Sequence, residues 1–428
     1  MTDTTQAPAA SAPIVHEKAL IRSWKAPIAL AVFAVLALVM AFAFPNEGET
    51  TFRLSTDADA IQLPPVVVPT QLTVAVTAIL LVLLALAAFA FVRFGKGKAP
   101  LWLSVVFAVL FLFAFLTWAA AGKTLPVPGL LVGTLALSVP LIFGALGGVI
   151  SERVGVVNIA IEGQLLFGAF SAALIGSATG NPIVGLLAAM VGGMLVSFVL
   201  AAFSIKYLVD QVIVGVVLNV LVVGLTSFFY SKVLVETPTL NAPVKFPIMP
   251  IPLLSDIPIL GPVLFRQTAI VYLMYLAVFL VWFGLYKTRW GLRLRSVGEH
   301  PTAADTVGIN VTGTRFWNVS LAGAIVGVGG AYYTLDVVGQ FGKEMTNGAG
   351  FIALAAVIFG RWDPIRATLA GLLFGFATNL QSVLGIIGSP VPSDFMLMLP
   401  YVVTIFAVAG LVGISRGPAA SGKPYIKS

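Results

Sequence analysis

Apolar runs of about twenty residues, parted by short polar breaks, recur along most of the chain. A helix needs about 20 such residues to cross a bilayer. Twelve candidate segments are visible: 26–44, 71–92, 101–120, 129–150, 157–178, 182–204, 211–230, 268–286, 316–335, 349–360, 366–387 and 396–414. The tenth is too short to cross as a straight helix. It is a broken helix or a re-entrant segment, tolerated only where protein or a water-filled cavity surrounds its backbone. The pattern predicts an all-α polytopic membrane protein with about 12 hydrophobic segments, ten to twelve of them true spans.

The segments divide into unequal parts. Residues 1–25 read as a disordered tail ahead of the first span. That span ends in Ala41-Phe42-Ala43, loosely like a signal-peptidase site, but the long basic region before it favours a retained anchor. Residues 26–125 give three spans poor in membrane-buried polar groups, an accessory set. Residues 126–415 form the expected core, and 416–428 a second tail. The core holds Gly144-xxx-Gly148, Gly323-xxx-Gly327 and Gly371-xxx-Gly375. Small residues four apart let helix backbones approach closely. The longest polar break in the core, 231–267, contains Pro238, Pro243, Pro247, Pro250, Pro252, Pro258 and Pro262, which exclude a long helix. Its Ile257, Ile259, Leu260 and Leu264 suggest a lid folded onto the mouth of the core, or a docking site for a partner.

Charge supplies the orientation. Only 10% of residues are charged. If the N-terminus is cytoplasmic and every segment crosses, 18 of the 24 Lys and Arg fall inside, and Arg53, Lys123, Lys232, Lys245, Arg266 and Lys343 fall outside. This positive-inside bias puts both termini in the cytoplasm and favours a crossing by 349–360. The net charge of +7 is thereby a topology signal and calls for no nucleic-acid partner. Without cysteine there is no disulfide, and two histidines, His16 and His300, cannot build a zinc site.

Two stretches concentrate chemistry. Ser151–Gln164 places Glu152 and Arg153 at a span end, where they read as an interfacial ion pair. Asn158 and Glu162 are four apart and would share one face of a helix, whereas Gln164 need not join them. A membrane-buried ionisable group is costly and marks a functional site by default. Asn158, Glu162, Asn219 and Asn379 are the candidates for a polar-solute path, against a simple role in helix–helix hydrogen bonding. Asn318, Gln381, Asp336 and Gln340 are weaker members of the same set. Phe341, Tyr332 and Tyr333 could stack on a planar ligand, while Trp362 suits the aromatic belt at the membrane interface. The second stretch, Arg289–Asn310, crowds Arg289, Arg293, Arg295, Glu299, His300 and Asp305 between two spans. Pro301 suits the first position of a helix and Gly308 the residue past its end, which predicts a surface helix of about two turns, against the plain reading of a basic cytoplasmic loop. Gly417 to Lys423 imitates the start of a P-loop, but Pro424 stands where Ser or Thr should hold magnesium. The chain thus shows no ATPase of its own.

ERVGVVNIAIEGQLLFGAF (152–170), GLRLRSVGEHPTAADTVGINV (291–311) and GFIALAAVIFGRWDP (350–364) resemble the permease subunits of bacterial ATP-binding-cassette importers, in the branched-chain amino acid and simple-sugar permease superfamily. IPLLSDIPILGPVLF (251–265) resembles the nucleoside-permease branch. The resemblance covers about 126–415, and the first three spans depart from the shorter members. It implies a bacterial plasma-membrane subunit, not itself an enzyme, that carries nucleosides or simple sugars. The implied partners are a second permease, a cytoplasmic ATPase and an extracytoplasmic solute-binding lipoprotein. ATP and magnesium would be bound by the ATPase and no cofactor by this chain. The loop 287–315 would be the coupling loop, with Arg295, Gly298, Glu299, His300, Pro301, Ala304 and Gly308 meeting the ATPase. A rival reading is a proton-coupled secondary transporter using Glu162 or Asp336. It predicts repeated halves, and no repeat of 152–164 is evident.

Overall fold

The computed structural model describes residues 22–427 apart from 58, 60, 96, 390, 392–394, 396, 397 and 399–416. Residues 1–21 of the expected tail, His16 among them, and nearly all of the twelfth expected segment, 396–414, lie outside these. Contacts divide the chain into two units, Met1–Gly48 with Pro69–Trp118, and Glu49–Val68 with Ala119–Ser428.

The first unit contains α1 (Lys25–Phe42), α2 (Thr70–Phe94) and α3 (Leu101–Ala119). Its core is a narrow seam. Leu30, Ala34, Ala37 and Ala41 of α1 and Val74, Ala78, Leu81, Ala85 and Ala88 of α2 are buried, spaced four and three apart as two packed helices require. The alanines let the backbones approach closely. Leu103 and Phe107 of α3 join the cluster. The remaining faces expose Val32, Val35, Leu72, Val76, Leu83 and Leu86, an apolar surface suited to lipid. Thr77 hydrogen-bonds a carbonyl of its own helix.

In the second unit, β1 (Glu49–Arg53) lies between β2 (Val66–Pro69) and β3 (Thr124–Pro126), pairing in parallel with β3 from Thr51↔Thr124 to Arg53↔Pro126. Asp59 pairs with Arg266 at 3.4 Å. The helices are α4 (Val127–Arg153), α5 (Ile161–Thr179), α6 (Pro182–Ala201), α7 (Gln211–Phe229), α8 (Ala269–Lys287), α9 (Arg289–Glu299), α10 (Pro301–Thr306), α11 (Val311–Tyr332), α12 (Ala349–Phe359) and α13 (Pro364–Ile386). The segment 231–267 has no long helix, and its β4 (Ile248–Pro250) pairs antiparallel with β5 (Arg266–Thr268). Its Phe246 amide donates to Leu335, its Lys245 ammonium to Val337, and Asn241 exchanges two bonds with the backbone of Phe341.

Among the described residues nine helices are long and apolar enough to cross a membrane: α1–α8 and α13, with π-helical turns extending α6 and α7. The expected ninth segment, 316–335, forms α11, which is long but falls outside the nine. Its position explains the weak hydropathy. The helix is buried on most sides, between α4, α5 and α6, so it faces little lipid. Close approach selects its residues instead: a Cβ on Gly323 or Gly327 would run into α6 backbone at Gly193 or Ala189, and one on Gly330 into α5 at Leu165. The other two glycine pairs do the same work, Gly144 and Gly148 of α4 against Ala353 and Val357 of α12, and Gly371 and Gly375 of α13 against Ile142 and Ser138 of α4.

The tenth segment is a half-length helix. Its 11 residues rise about 16 Å, half of a bilayer core of about 30 Å. Residues 338–348 ahead of it are irregular. They begin beside Asn241 and Lys245, and α12 ends where Arg153 of α4 bonds the carbonyls of Arg361 and Trp362. The short surface helix expected between Pro301 and Gly308 is α10, and a second helix, α9, precedes it. Leu294, Val297 and Gly298 bury one face of α9, so the basic residues between them are the solvent side of an amphipathic turn and not a loop.

Candidate functional site

Glu162 lies in the first turn of α5, only 8% exposed. Its carboxylate accepts from the Thr346 hydroxyl at 2.6 Å, the Gly348 amide at 2.9 Å and the Gly350 amide at 2.6 Å. Those amides are the donors that a helix leaves unpaired at its start, and Gly348, the N-cap of α12, has no side chain to serve them. A carboxylate from another helix caps α12 and complements its dipole. Gly350 makes this possible, since a Cβ there would collide with the backbone of Ile161 and Glu162. The two helices meet start to start.

The same device holds α5. Its N-cap, Ala160, offers no side-chain acceptor. Asn219 of α7 accepts from the Gly163 amide at 2.8 Å and donates to the Ile159 carbonyl at 2.9 Å. Gln211, also of α7, accepts from the Val157 amide at 2.7 Å. Asn158 falls in the irregular link 154–160, so the helical face expected to join it to Glu162 does not exist. Asn158 instead pairs amide to amide with Gln164, two bonds of 3.1 Å, and Gln164 reaches Ser197 of α6 at 2.9 Å. Asn379 of α13 donates to the Leu130 carbonyl of α4 at 2.6 Å, in room left by Gly133. Glu162, Asn219 and Asn379 therefore spend their polar atoms fastening one element to another, and Asn158 ties the α4–α5 link to the first turn of α5. The aromatics are similarly occupied: Phe341 is buried edge-on to Phe170 at 5.4 Å. Asp336 accepts from the Thr268 hydroxyl at 2.5 Å.

Sequence reasoning misjudged the end of α4. Glu152 and Arg153 form no ion pair with each other among the described residues. The Trp362 indole donates to Glu152, while Arg153 donates to the Trp362 carbonyl at 2.9 Å. Trp362 is buried, not part of an interfacial belt.

The expected coupling residues split into two groups. Gly298 lies so close to the Arg153 carbonyl that no Cβ fits, which seats α9 on the end of α4. The Arg295 guanidinium covers the Tyr286 ring at 5.3 Å, and Ala304 is buried. These three hold the helices in place. His300 and Glu299 are exposed, Pro301 opens α10, and Gly308 (φ +85°) follows it in the left-handed region that favours glycine. His300, Leu292, Arg293, Ala303 and Val307 line a groove of about 500 Å³ on this surface. Sequence reasoning missed Arg315, buried in α11, and residues 417–427, which bond to Gly298 and Glu299. No local pattern announces either one. The imitation P-loop is a pair of turns in this segment with no helix after it.

Comparison with known proteins gives this arrangement a context. Residues 130–408 match the family model described as branched-chain amino acid transport system, permease component. The guanosine ABC transporter permease protein NupQ of Bacillus subtilis is 44% identical over 307 residues, 69% of this chain and 95% of that protein. The nucleoside ABC transporter permease protein NupC of Lactococcus lactis is 42% identical over 305 residues, again 69% and 95%. The putative glucose ABC transporter permease protein TsgC13 of Haloferax volcanii is 39% identical over 253 residues, 59% of this chain and 77% of its own length. No solved structure matches. The quoted motifs, the helical membrane architecture and the length of these matches agree: the chain belongs to the permease components of the branched-chain amino acid transport system family.

Proposed function

We propose that this chain is the nucleoside permease subunit of an ATP-binding-cassette importer. The observation that carries the substrate class is its identity of 44% and 42% to a guanosine and a nucleoside permease along 95% of their lengths. The likeness to a putative glucose permease keeps simple sugars as the second reading.

In this reading a second permease completes the path, a solute-binding lipoprotein delivers solute outside, and an ATPase binds ATP and magnesium inside. Both termini are cytoplasmic. Residues 417–427 bond to the α9–α10 loop, which supports a common side for the tail and the coupling loop. The exposed side of α10 and the groove beside it meet the ATPase. A push there bears on Arg153 through Gly298, then on α12 through Arg153 and Trp362, and at the far end of the broken segment on the 241–246 loop. ATP acts by favouring one of two arrangements, as any ligand must, through its differential affinity for them. Three donors on the Glu162 carboxylate argue against its use as a mobile proton carrier.

The test is purification from native membranes followed by uptake of labelled guanosine, uridine and ribose, with and without ATP depletion. ATP-dependent nucleoside uptake with a co-purifying ATPase is expected. Uptake that collapses only with the proton gradient would refute the proposal, and ATP-dependent uptake of ribose alone would move it to sugars. Within the importer, Glu299→Ala and Gly308→Val should abolish solute-stimulated ATP hydrolysis without preventing membrane insertion.

A further inference from the structure

The described end of the chain runs back across the coupling loop. The Ala420 amide donates to the Gly298 carbonyl at 2.9 Å, and the Ala419 amide to the Glu299 carboxylate at 3.2 Å. Tyr425 stands beside Asp305 of α10, the two lining one groove. Gly417 lies flat against the Trp362 ring, where a Cβ would come to 3.0 Å. Ala420 is 5% exposed. The segment thus touches α9, α10 and the end of α12 in turn.

Its deepest anchor is Arg315 in α11. The side chain is 2% exposed, and its Nη1 donates to the Lys423 carbonyl at 2.9 Å. Nε and Nη2 have no hydrogen-bond partner among the described residues. Gly155 (φ +93°) makes room, since a Cβ there would stand 2.9 Å from Nη2 and 3.3 Å from the Ala420 carbonyl. Burying a guanidinium with so few partners is costly. Ordinary helix packing would be served by an apolar residue. What a long, rigid donor adds here is a fixed point on α11 for a segment that has no helix or strand of its own.

We propose that residues 417–427 are a strap that fixes α9 and α10 to the α4–α5 link and to α11, with Arg315 as its positioning residue. The inference rests on the coupling reading above. Strapped, the coupling loop moves as one body with α4, α11 and α12. Released, it yields to the ATPase without carrying those helices along.

The chain has no cysteine, so one can be placed alone. In the assembled transporter, Ala420→Cys should react slowly with a membrane-impermeant maleimide applied to inside-out vesicles. It should react rapidly once Arg315→Met is added, and slowly again with Arg315→Lys, which keeps a cationic donor. Rapid reaction in the parent, or no change on losing Arg315, overturns the strap. In the same preparation, removal of 417–428 should lower solute-stimulated ATP hydrolysis per assembled complex by roughly tenfold or more, within the usual span of coupling between sites. The half-saturating solute concentration should not change. A tail needed only for folding would reduce the amount of complex and leave stimulation per complex intact, which also overturns the proposal. If the truncated chain does not assemble, Tyr425→Ala takes its place, with a smaller loss of the same sign expected and undiminished stimulation overturning the strap. A parent complex with no solute stimulation at all counts against the coupling reading, and the labelling arm then decides the strap by itself.

Discussion

Glu162→Gln separates a residue that anchors α12 from one that contacts solute. The amide replaces one acceptor oxygen with a donor. If that donor faces Gly350, the Gly350 amide loses its partner. If it faces Thr346, the hydroxyl can turn to accept, but the Gly348 amide loses its partner. Either way one buried backbone donor is orphaned, at about 1–3 kcal/mol, and each remaining bond falls from the charged range of about 1.5–3 to the neutral range of about 0.5–1.5 kcal/mol. A neutral amide is less costly to bury than a carboxylate, which returns part of the loss and leaves a net of about 2–4 kcal/mol. Each 1.4 kcal/mol is tenfold, so amide exchange at residues 348–351 should speed up by roughly 30- to 700-fold. Hydrogen–deuterium exchange with mass spectrometry reads that peptide directly in detergent. Unchanged protection there, with an altered half-saturating solute concentration for uptake, would refute the anchoring argument and make Glu162 a solute contact.

Three further outcomes follow from contacts of the same kind. Gly350→Ala sets a Cβ against backbone that cannot swing aside, so its cost should exceed the about 1–3 kcal/mol of ordinary overpacking; the yield of monodisperse protein on size exclusion should fall sharply. Asn158→Ala and Gln164→Ala should each cost about 1–3 kcal/mol by orphaning the other amide, and the double variant should melt little below the worse single one; additive losses in thermal unfolding would contradict the pairing. Trp362→Phe leaves Glu152 buried without its donor, and adding Glu152→Met should restore part of the lost melting temperature, because removing both members of a buried polar pair costs less than removing one.

Hydropathy made the lipid-facing helices legible, because lipid contact demands apolar side chains along a whole span. The hydropathy of α11 is muted because neighbouring helices cover it. The apolar run begins ahead of α5 because Val157, Ile159 and Ala160 are as apolar in an irregular link as in a helix. The 289–298 stretch reads as a basic loop because its three arginines outweigh Leu294 and Val297. At the site, Glu162 stood out as a carboxylate at membrane depth, and it does occupy a junction. Its partners lie 184 to 188 residues away, a distance over which a single sequence carries no signal. The Trp362–Glu152 bond spans 210 residues and was hidden for the same reason.

The trans-capping of α12 also imposes an order on biogenesis. When α5 leaves the ribosome, the glycines that will receive its carboxylate are not yet made. Gly350 follows Glu162 by 188 residues, roughly 10–40 s of synthesis at ordinary rates. Until then the Glu162 carboxylate lacks all three of its donors, and α5, with a mean hydropathy of 1.3, is the least apolar of the nine candidate spans. It is poorly suited to leave the insertion machinery alone. Its carboxylate acquires its partners only with the half-helix from the far end of the core, so a chain cut short before residue 346 keeps that charge without any of them.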